Sequence, residues 1–384
     1  MKNFPHTEDK TRLLQLRLQI DQFVDYRLAN VMTIPAPMRG THNHLIDIRG
    51  IHVGHHQMIG DGWLSGTTVI LPPQGTVASA DVRGGGPGTR ETDCLAPTTM
   101  VSSVDAVCIS GGSAYGLDTA GGVVRWLASR NRGLKIGPEA HHVVPIVPAA
   151  VLFDLGAGGN FKNQPTADFG WEAANRASVT DTRLGNIGAG TGARSGGLKG
   201  GIGSASVVLH NGITVAALVA LNSAGSTVDP KSGELFGARY GLGDEFEHLH
   251  APKKDELRTW LEIERTPPQL NTTLAVIATD VRLAKHECTR IAASGHDGMA
   301  RSISPIHLYT DGDTVFALST GEKEFPEGEA ASGAIRTGDE RIYKINEIIS
   351  AAADCVARAV VHAMLNAESV STWTSYHDTF PSTR

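Results

Sequence analysis

The sequence has few cysteines, few aromatic residues and no long apolar run, and each shortage excludes a class of protein. Its four cysteines show no Cys-x-x-Cys spacing, so we expect free thiols in a reducing compartment rather than a disulfide framework. Aromatic residues are only 5% of the chain and the net charge is −6, which disfavours a nucleic-acid-binding surface. No run of about 18 apolar residues and no signal-peptide-like start is found. These features predict a cytoplasmic protein that binds neither nucleic acid nor membrane.

Signatures of metal and nucleotide binding are also missing. None of the 16 histidines has the His-Glu-x-x-His spacing of a zinc helix, so no metal is expected. The glycine-rich run 185–201 has Ser195 where a dinucleotide motif needs its third glycine, and Lys199 is not followed by Ser or Thr as in a phosphate-binding loop. The run is therefore interpreted as a close-packed loop without a cofactor. A lysine among small residues can, however, reach a buried site where its pKa falls, which makes Lys199 a candidate functional residue.

Short β-branched runs that alternate with glycine-rich turns and amphipathic stretches fill most of the chain. Residues 1–45 read as an N-terminal extension that ends in a Pro-Ala-Pro break, and residues 46–384 as a single catalytic domain. Strands are predicted at 67–71, 106–110, 205–209, 214–221, 273–279 and 314–319, and helices at 116–130, 283–301 and 338–366. The mixture predicts a layered α/β (α+β) fold in which helices cover sheets.

Two short patterns suggest chemistry but have simpler structural explanations. Ser113 follows a strand and precedes a helix, as in a nucleophile elbow, but Tyr115 stands where that motif requires glycine, so a strand-to-helix turn is favoured. Asp311-Gly312-Asp313 is typical of a turn before the strand at 314–319. Two carboxylates two residues apart could instead form a pair in which repulsion raises one pKa.

The junction between Asn271 and Thr272 has the residue types that autoproteolysis needs. A threonine hydroxyl can attack the preceding carbonyl to form an ester that water opens, and the freed α-amine, with a pKa near ~8, then serves as the base. A charged segment, 244–265, and a Thr-Pro-Pro break at 266–268 precede the junction and favour an exposed, processable site. The same features are common in inert surface linkers.

Six segments resemble, in order, the motifs of the DmpA-type L-aminopeptidase/D-esterase superfamily, which includes β-peptidyl aminopeptidases and nylon-oligomer hydrolases. They are residues 81–93, 110–118, 147–154, 190–203, 271–280 and 311–316. The resemblance implies a four-layer αββα sandwich, similar to N-terminal-nucleophile hydrolases but with its own strand connectivity. It also implies self-cleavage into a 1–271 α chain and a 272–384 β chain that stay associated and assemble as a homo-oligomer, either dimer or tetramer.

Matched residue by residue, the resemblance also implies the roles of the site residues. Thr272 matches the nucleophile, Lys199 the active-site lysine, and Asn222 the asparagine that polarises the substrate carbonyl. Asp311 and Asp313 match the paired acids of the nylon-oligomer branch, whereas the aminopeptidase branch has Ser and Glu there and begins its β chain with serine.

The resemblance further implies a substrate-binding surface at Phe153, Ser113 and Tyr115. Phe153 departs from the nylon-oligomer branch, which has a tyrosine at this position. The predicted function is hydrolysis of amide bonds in short peptides or linear oligoamides through a threonine acyl-enzyme. An acyltransferase resembling the ornithine acetyltransferases, in which an amine replaces water, is the alternative enzyme. A binding scaffold that stays uncut is the non-enzymatic alternative.

Overall fold

Apolar strands from both halves of the chain form two β-sheets. The computed structural model describes residues 36–263, 270–325 and 340–384. Most of the predicted extension over 1–45, and the Thr-Pro-Pro break at 266–268, lie outside the described residues. Met38 to Arg384 form one compact unit.

Both halves of the chain contribute strands and helices. The strands are β1 His52–Gly60, β2 Trp63–Leu71, β3 Val77–Val82, β4 Thr89–Arg90, β5 Val107–Ser110, β6 Leu134–Lys135, β7 Val143–Val144, β8 Ala149–Val151, β9 Arg194–Ser195, β10 Leu198–Lys199, β11 Gly201–Val208, β12 Thr214–Leu221, β13 Leu274–Val281 and β14 Thr314–Lys323. The α-helices are α1 Thr119–Ala128, α2 Ala167–Asn175, α3 Lys254–Glu262, α4 Lys285–Ser302, α5 Glu340–Leu365 and α6 Tyr376–Thr379.

Each of the two large sheets has five strands. The first has the order β1-β2-β5-β8-β4, and the second has the order β11-β12-β13-β14-β3. In the second sheet β12 pairs antiparallel with β13, and β13 pairs parallel with β14. Two two-stranded pairs, β9 with β10 and β6 with β7, lie outside these sheets.

Three apolar layers separate four layers of secondary structure. Ile70 and Ile109 of the first sheet share one buried cluster with Leu218, Val276 and Phe316 of the second, so the two sheets pack face to face. Helices α1 and α2 cover the outer face of the first sheet, and α4 and α5 cover the second. Every residue of β12 and β13 is buried because both faces are covered. The predicted αββα sandwich is confirmed.

The abundance of glycine has a packing cause where α5 crosses the second sheet. A Cβ on Gly203 of β11 would lie 1.9 Å from the carbonyl oxygen of Ala359 in α5. Any larger side chain would push the helix off the sheet, so only glycine permits this approach.

Most predicted elements are present, and the differences have a physical reason. The hairpin at β11 and β12 and the elements β13, α4, β14 and α5 lie where they were expected. The helix predicted over 116–130 begins as a 3-10 turn, Ser113–Asp118, and continues as α1. The charged segment interpreted as an exposed junction contains α3, whose buried residue, Trp260, packs against Phe380.

Helix α5 is the apolar helix at the centre of the second helical layer. Its span Arg341–Leu365 is long and apolar enough to cross a membrane by length and composition, but most of that window is buried inside the protein. It packs against β11, β12 and α4, which is the position of a core helix.

A buried ion pair fixes α5 to the loop before α3. Arg358 Nε donates to Glu245 Oε2 at 2.6 Å, and both side chains are almost fully buried. Burial opposes ionisation of Glu245, but hydrogen bonds from His362 and Arg358 outweigh it and hold the pKa of Glu245 well below its usual range.

Arg358→Met is expected to lower the free energy of unfolding by about 3–5 kcal/mol, because it leaves the buried Glu245 carboxylate without its guanidinium partner. Urea denaturation measures the change. Arg358→Met combined with Glu245→Gln should recover much of the loss, since no unpaired charge remains. The exposed pair of Arg49 and Glu322 is the control, and Arg49→Met should cost less than about 1 kcal/mol. An equal loss of stability in Arg358→Met and Arg49→Met would contradict a larger contribution from the buried ion pair.

Candidate active site

Three strand ends of the second sheet meet at one edge. Ala220 of β12 pairs with Leu274 of β13, and Leu274 pairs with Thr314 of β14. The end of β12 therefore lies beside the starts of β13 and β14. The residues just beyond these three strand ends, among them Asn222 and Thr272, therefore meet at one place. We call this place the site edge.

The peptide bond before Thr272 is held by several hydrogen bonds. Thr272 N donates to Asn222 O at 2.8 Å, and the Thr272 hydroxyl donates to Asn271 O at 2.7 Å. The same carbonyl oxygen accepts the N–H of Gly312 at 3.1 Å. Thr272 is 5% exposed. The carbonyl that precedes Thr272 is thus polarised by two donors, one of which is the hydroxyl beside it.

The side-chain amide of Asn222 joins the two sheets. Its Oδ1 accepts the N–H of Arg194 at 3.0 Å, and its Nδ2 donates to Phe153 O at 3.2 Å, just beyond β8 of the first sheet. A primary amide carries two N–H donors, so a second hydrogen remains for a substrate oxygen. This arrangement fits the predicted role of Asn222 in polarising a carbonyl.

Lys199 is fully buried and surrounded by backbone carbonyls. Its Nζ donates to the oxygens of Gly190, Ala193 and Gly200 at 2.9, 2.9 and 2.7 Å. Burial lowers the pKa of Lys199 to about 7, and the nearby Asp154 carboxylate partly offsets that effect. Within the described residues, the hydrogen bonds of Nζ do not include one to Thr272.

Lys199 reaches the site edge through one peptide unit. Ala193 O, which accepts from Lys199 Nζ, and Arg194 N, which donates to Asn222 Oδ1, belong to the same peptide. The ammonium therefore polarises this peptide, and the peptide polarises the Asn222 amide. A hydrogen-bond relay connects the lysine to the residue that would contact a substrate oxygen.

Asp154 belongs to the same buried region, although sequence analysis did not select it. Its Oδ1 accepts the N–H of Gly112 at 2.7 Å. Burial raises the pKa of Asp154 to about 6, while the Gly112 N–H, Ser65 and Lys199 act to lower it. The sequence does contain a signal for a buried acid here, because Asp154 directly follows the apolar run at 147–153 and the end of such a strand is buried.

Asp311 and Asp313 both lie at the site edge but have different partners. Asp313 Oδ1 accepts the N–H of Thr273 at 2.7 Å, and Oδ2 lies 2.7 Å from His307 Nδ1. Asp311 Oδ2 accepts the N–H of Leu308 at 2.8 Å. Burial raises the pKa of Asp311 to about 6, and the charge of Asp313 adds to the rise. His307 is a neighbour that the sequence did not reveal.

The three predicted substrate-binding residues are placed differently. Phe153 contacts the site edge because its carbonyl oxygen accepts a hydrogen bond from the side-chain amide of Asn222. Ser113 has φ +52° and donates its N–H to Leu152 O, so it forms the turn that enters the 3-10 helix. Tyr115 is 57% exposed. No hydrogen bond within the described residues joins Ser113 or Tyr115 to Thr272, and their substrate role stays a prediction.

A cleft of about 160 Å³ is lined by Phe153 and Arg194, whose backbones bind the Asn222 side chain. Its lining includes Phe153, Asp154, Gly192, Arg194 and Trp373. The guanidinium carbon of Arg194 lies 5.0 Å from the centre of the Trp373 ring. The described residues contain no group of three His, Cys, Asp or Glu side chains arranged to hold a metal ion.

Comparison with known families and proteins gives consistent matches. A family model described as peptidase family S58 matches residues 43–377. An aminopeptidase of Mycobacterium tuberculosis, named as uncharacterized, is 45% identical over 351 residues, which cover 88% of this chain and 98% of that protein. A 6-aminohexanoate-oligomer endohydrolase of Agromyces is 29% identical over 309 residues, which cover 76% of this chain and 79% of the endohydrolase.

A solved structure shows the same fold. The L-aminopeptidase D-Ala-esterase/amidase of Ochrobactrum anthropi superposes with a TM-score of 0.64 at 20% identity, covering 91% of this chain and 96% of the other. That enzyme is described as a new variant among the Ntn hydrolase fold. The resemblance inferred from six motifs is confirmed by these comparisons.

Lys199→Met is expected to change the pH dependence of stability. Lysine titrates near 10.5 in the unfolded chain and about 7 in the folded one, so the unfolded state binds more protons between these values. The free energy of unfolding of the unmodified protein should therefore rise from pH 7 to pH 9, and the variant should lack this rise. Loss of the ammonium also raises the pKa of Asp154, so the stability of the variant falls as the pH rises through that pKa. This effect enlarges the difference between the two proteins at pH 9.

Urea denaturation at pH 7 and pH 9 measures the effect. The same comparison in the Asp154→Asn background, between Asp154→Asn and the double variant with Lys199→Met, removes the aspartate contribution and leaves only that of the lysine. A stability difference between the unmodified protein and Lys199→Met that is the same at both pH values would contradict the burial of a titrating lysine.

Proposed function

Because this chain belongs to peptidase family S58, we propose that it is a self-activating amidohydrolase whose nucleophile is Thr272. Family membership makes the chain a hydrolase of peptide or amide bonds. The proposal adds the cleavage site, the nucleophile and the groups that assist it. Its substrates would be short peptides or linear oligoamides, and two of its relatives are named as an aminopeptidase and a 6-aminohexanoate-oligomer endohydrolase.

The carbonyl of Asn271, which accepts hydrogen bonds from Gly312 N–H and the Thr272 hydroxyl, is the observation that carries the proposal. In the self-cleavage step the Thr272 oxygen attacks this carbonyl carbon, and the Gly312 N–H stabilises the oxyanion. The C–N bond to Thr272 breaks, its nitrogen takes up the proton from the hydroxyl, and an ester remains. Water then hydrolyses the ester, leaving a carboxylate on Asn271 and a free amine on Thr272.

The freed amine has a neighbour that keeps it in place. Thr272 N already donates to Asn222 O at 2.8 Å, which would orient the new α-amine beside its own hydroxyl. An α-amine titrates near ~8, so roughly a fifth of it is neutral at physiological pH and can accept the hydroxyl proton. Asp313 supports this geometry because it holds the N–H of Thr273, the next residue.

Substrate hydrolysis would repeat the chemistry of self-cleavage on a second amide. Thr272 Oγ attacks the substrate carbonyl, the free N–H of Asn222 stabilises the oxyanion, and the α-amine passes its proton to the leaving nitrogen. Water then releases the acid from the ester. Lys199 acts through the Ala193–Arg194 peptide, whose polarisation strengthens the Asn222 donor.

The acyltransferase alternative draws no support from the relatives described, which are named as aminopeptidases and an oligomer hydrolase. The cytoplasmic location and the homo-oligomeric assembly remain predictions.

Thr272→Val is expected to stay uncut and inactive, because valine has the shape of threonine without its hydroxyl. Thr272→Ser keeps the hydroxyl and should be cut between residues 271 and 272. Intact-mass measurement distinguishes one chain from two. Cleavage of the valine variant at that bond would rule out Thr272 as the nucleophile.

Gly312→Ala tests the donor at the carbonyl of Asn271. An added Cβ would lie 2.8 Å from Thr272 Oγ and 2.6 Å from Gly86 O, so the loop must shift. A displacement of this kind is expected to slow self-cleavage by roughly 100-fold, which a time course of intact mass would record. Gly121→Ala in α1 is the matched control, because its Cβ would meet no atom closer than 3.7 Å. Equal cleavage rates for the two variants would contradict the assigned geometry.

A further inference from the structure

Arg194 is a partly buried cation that has no partner of opposite charge among the residues that the structure describes. Its side chain forms no hydrogen bond or ion pair with any other residue in the part of the chain that the structure describes. The similarly placed Arg132, by contrast, donates to the carbonyl of Asp105 and lies near its carboxylate. Removing a guanidinium from water without a partner carries a free-energy cost, so an unpaired arginine in a cleft points to an anionic ligand.

The guanidinium of Arg194 lies over the Trp373 ring, with its central carbon 5.0 Å from the ring centre. This contact occupies no N–H donor, so the donors stay free of partners among the described residues. The planar fork of donors in arginine matches the two oxygens of a carboxylate.

The same residue belongs to the site edge through its backbone. Arg194 N donates to Asn222 Oδ1, and the Asn222 amide is the proposed donor to the substrate carbonyl. An anion bound by the side chain of Arg194 would therefore be held by a residue whose backbone contacts the Asn222 amide. The cleft volume of about 160 Å³ is smaller than the roughly 300–1,000 Å³ of sites that enclose a drug-sized ligand. It has room for an end group rather than for the middle of a long chain.

We propose that Arg194 binds the terminal carboxylate of the substrate. The preferred substrates would be dipeptides and short linear oligoamides that carry a free carboxylate close to the amide bond that is cut. Internal bonds of long chains would be poor substrates, because their flanking residues offer no carboxylate. Asp154 lines the same cleft and its Oδ1 accepts the N–H of Gly112, so Arg194 is the charged residue of this lining that can donate hydrogen bonds to an anion. This proposal rests on the proposed function.

Matched pairs of substrates test the carboxylate directly. Each pair consists of a short amide with a free carboxylate and the same compound as its terminal carboxamide, for a dipeptide and for a linear dimer of 6-aminohexanoate. The unmodified protein should favour the acids in kcat/KM by roughly 10- to 100-fold, the range of a hydrogen bond to a charged group. Arg194→Gln should lose that preference, because the KM for the acids rises toward the KM for the carboxamides. Arg194→Lys should fall between the two.

Arg130→Gln is the matched control. The guanidinium of Arg130 also lies over a tryptophan ring, at 3.8 Å from the centre of Trp126, but Arg130 follows α1 and is not among the residues that line the cleft. It should keep the preference for acids. Intact mass should show the Arg194 variants cut between residues 271 and 272, which separates a loss of recognition from a loss of the nucleophile.

Binding of probes without an amide bond gives a second readout that requires no turnover. Isothermal titration of the unmodified protein with 6-aminohexanoate and with hexylamine, which lacks the carboxylate, should show tighter binding of the acid by at least ~10-fold. Equal or undetectable binding of the two probes, or an acid preference that survives Arg194→Gln, would overturn the carboxylate site. In that case a loss of hydrolysis in Thr272→Val would still support the proposed function. Self-cleavage of Thr272→Val between residues 271 and 272 would instead overturn the proposed function.

Discussion

The position of β13 between an antiparallel and a parallel neighbour is the constraint on which the candidate site depends. Pairing with β12 places Asn222 beside Thr272, and pairing with β14 places Asp313 beside Thr273. Since side chains alternate along a strand, a slip of one residue in either register would turn Thr272 away from these partners. Both faces of β13 are buried, so the apolar layers that stabilise the sandwich also hold the register.

Burial accounts for the unusual electrostatics of the site edge. It lowers the pKa of Lys199 to about 7 and raises the pKa of Asp154 to about 6. Each charged form is nevertheless supported by specific dipoles: backbone carbonyls around Lys199 and the Gly112 N–H at Asp154. The site therefore holds groups that titrate near neutral pH at fixed positions, which is the usual requirement for proton transfer.

Backbone groups perform several of the functions that sequence motifs assign to side chains. The Gly312 N–H polarises the carbonyl of Asn271, and the Ala193–Arg194 peptide connects Lys199 to Asn222. Glycine at 312 is required because a Cβ there would contact the Thr272 hydroxyl. The short Asp-Gly-Asp segment is thus both the turn that its composition indicates and a part of the site, and the two interpretations do not compete.

The sequence by itself determined the local elements and the chemical types at the site. Two apolar runs separated by Asn-Gly predicted the hairpin of β11 and β12, and the order of six motifs predicted the family, whose resemblance then selected Thr272, Lys199 and Asn222. Only the tertiary structure decided which groups meet. His307 contacts Asp313, and Arg194 contacts Trp373, which is far away along the chain. No local sequence pattern specifies the directions in which these side chains point. Helix α3 was missed for the same reason, because Trp260 is stabilised by a distant residue, Phe380.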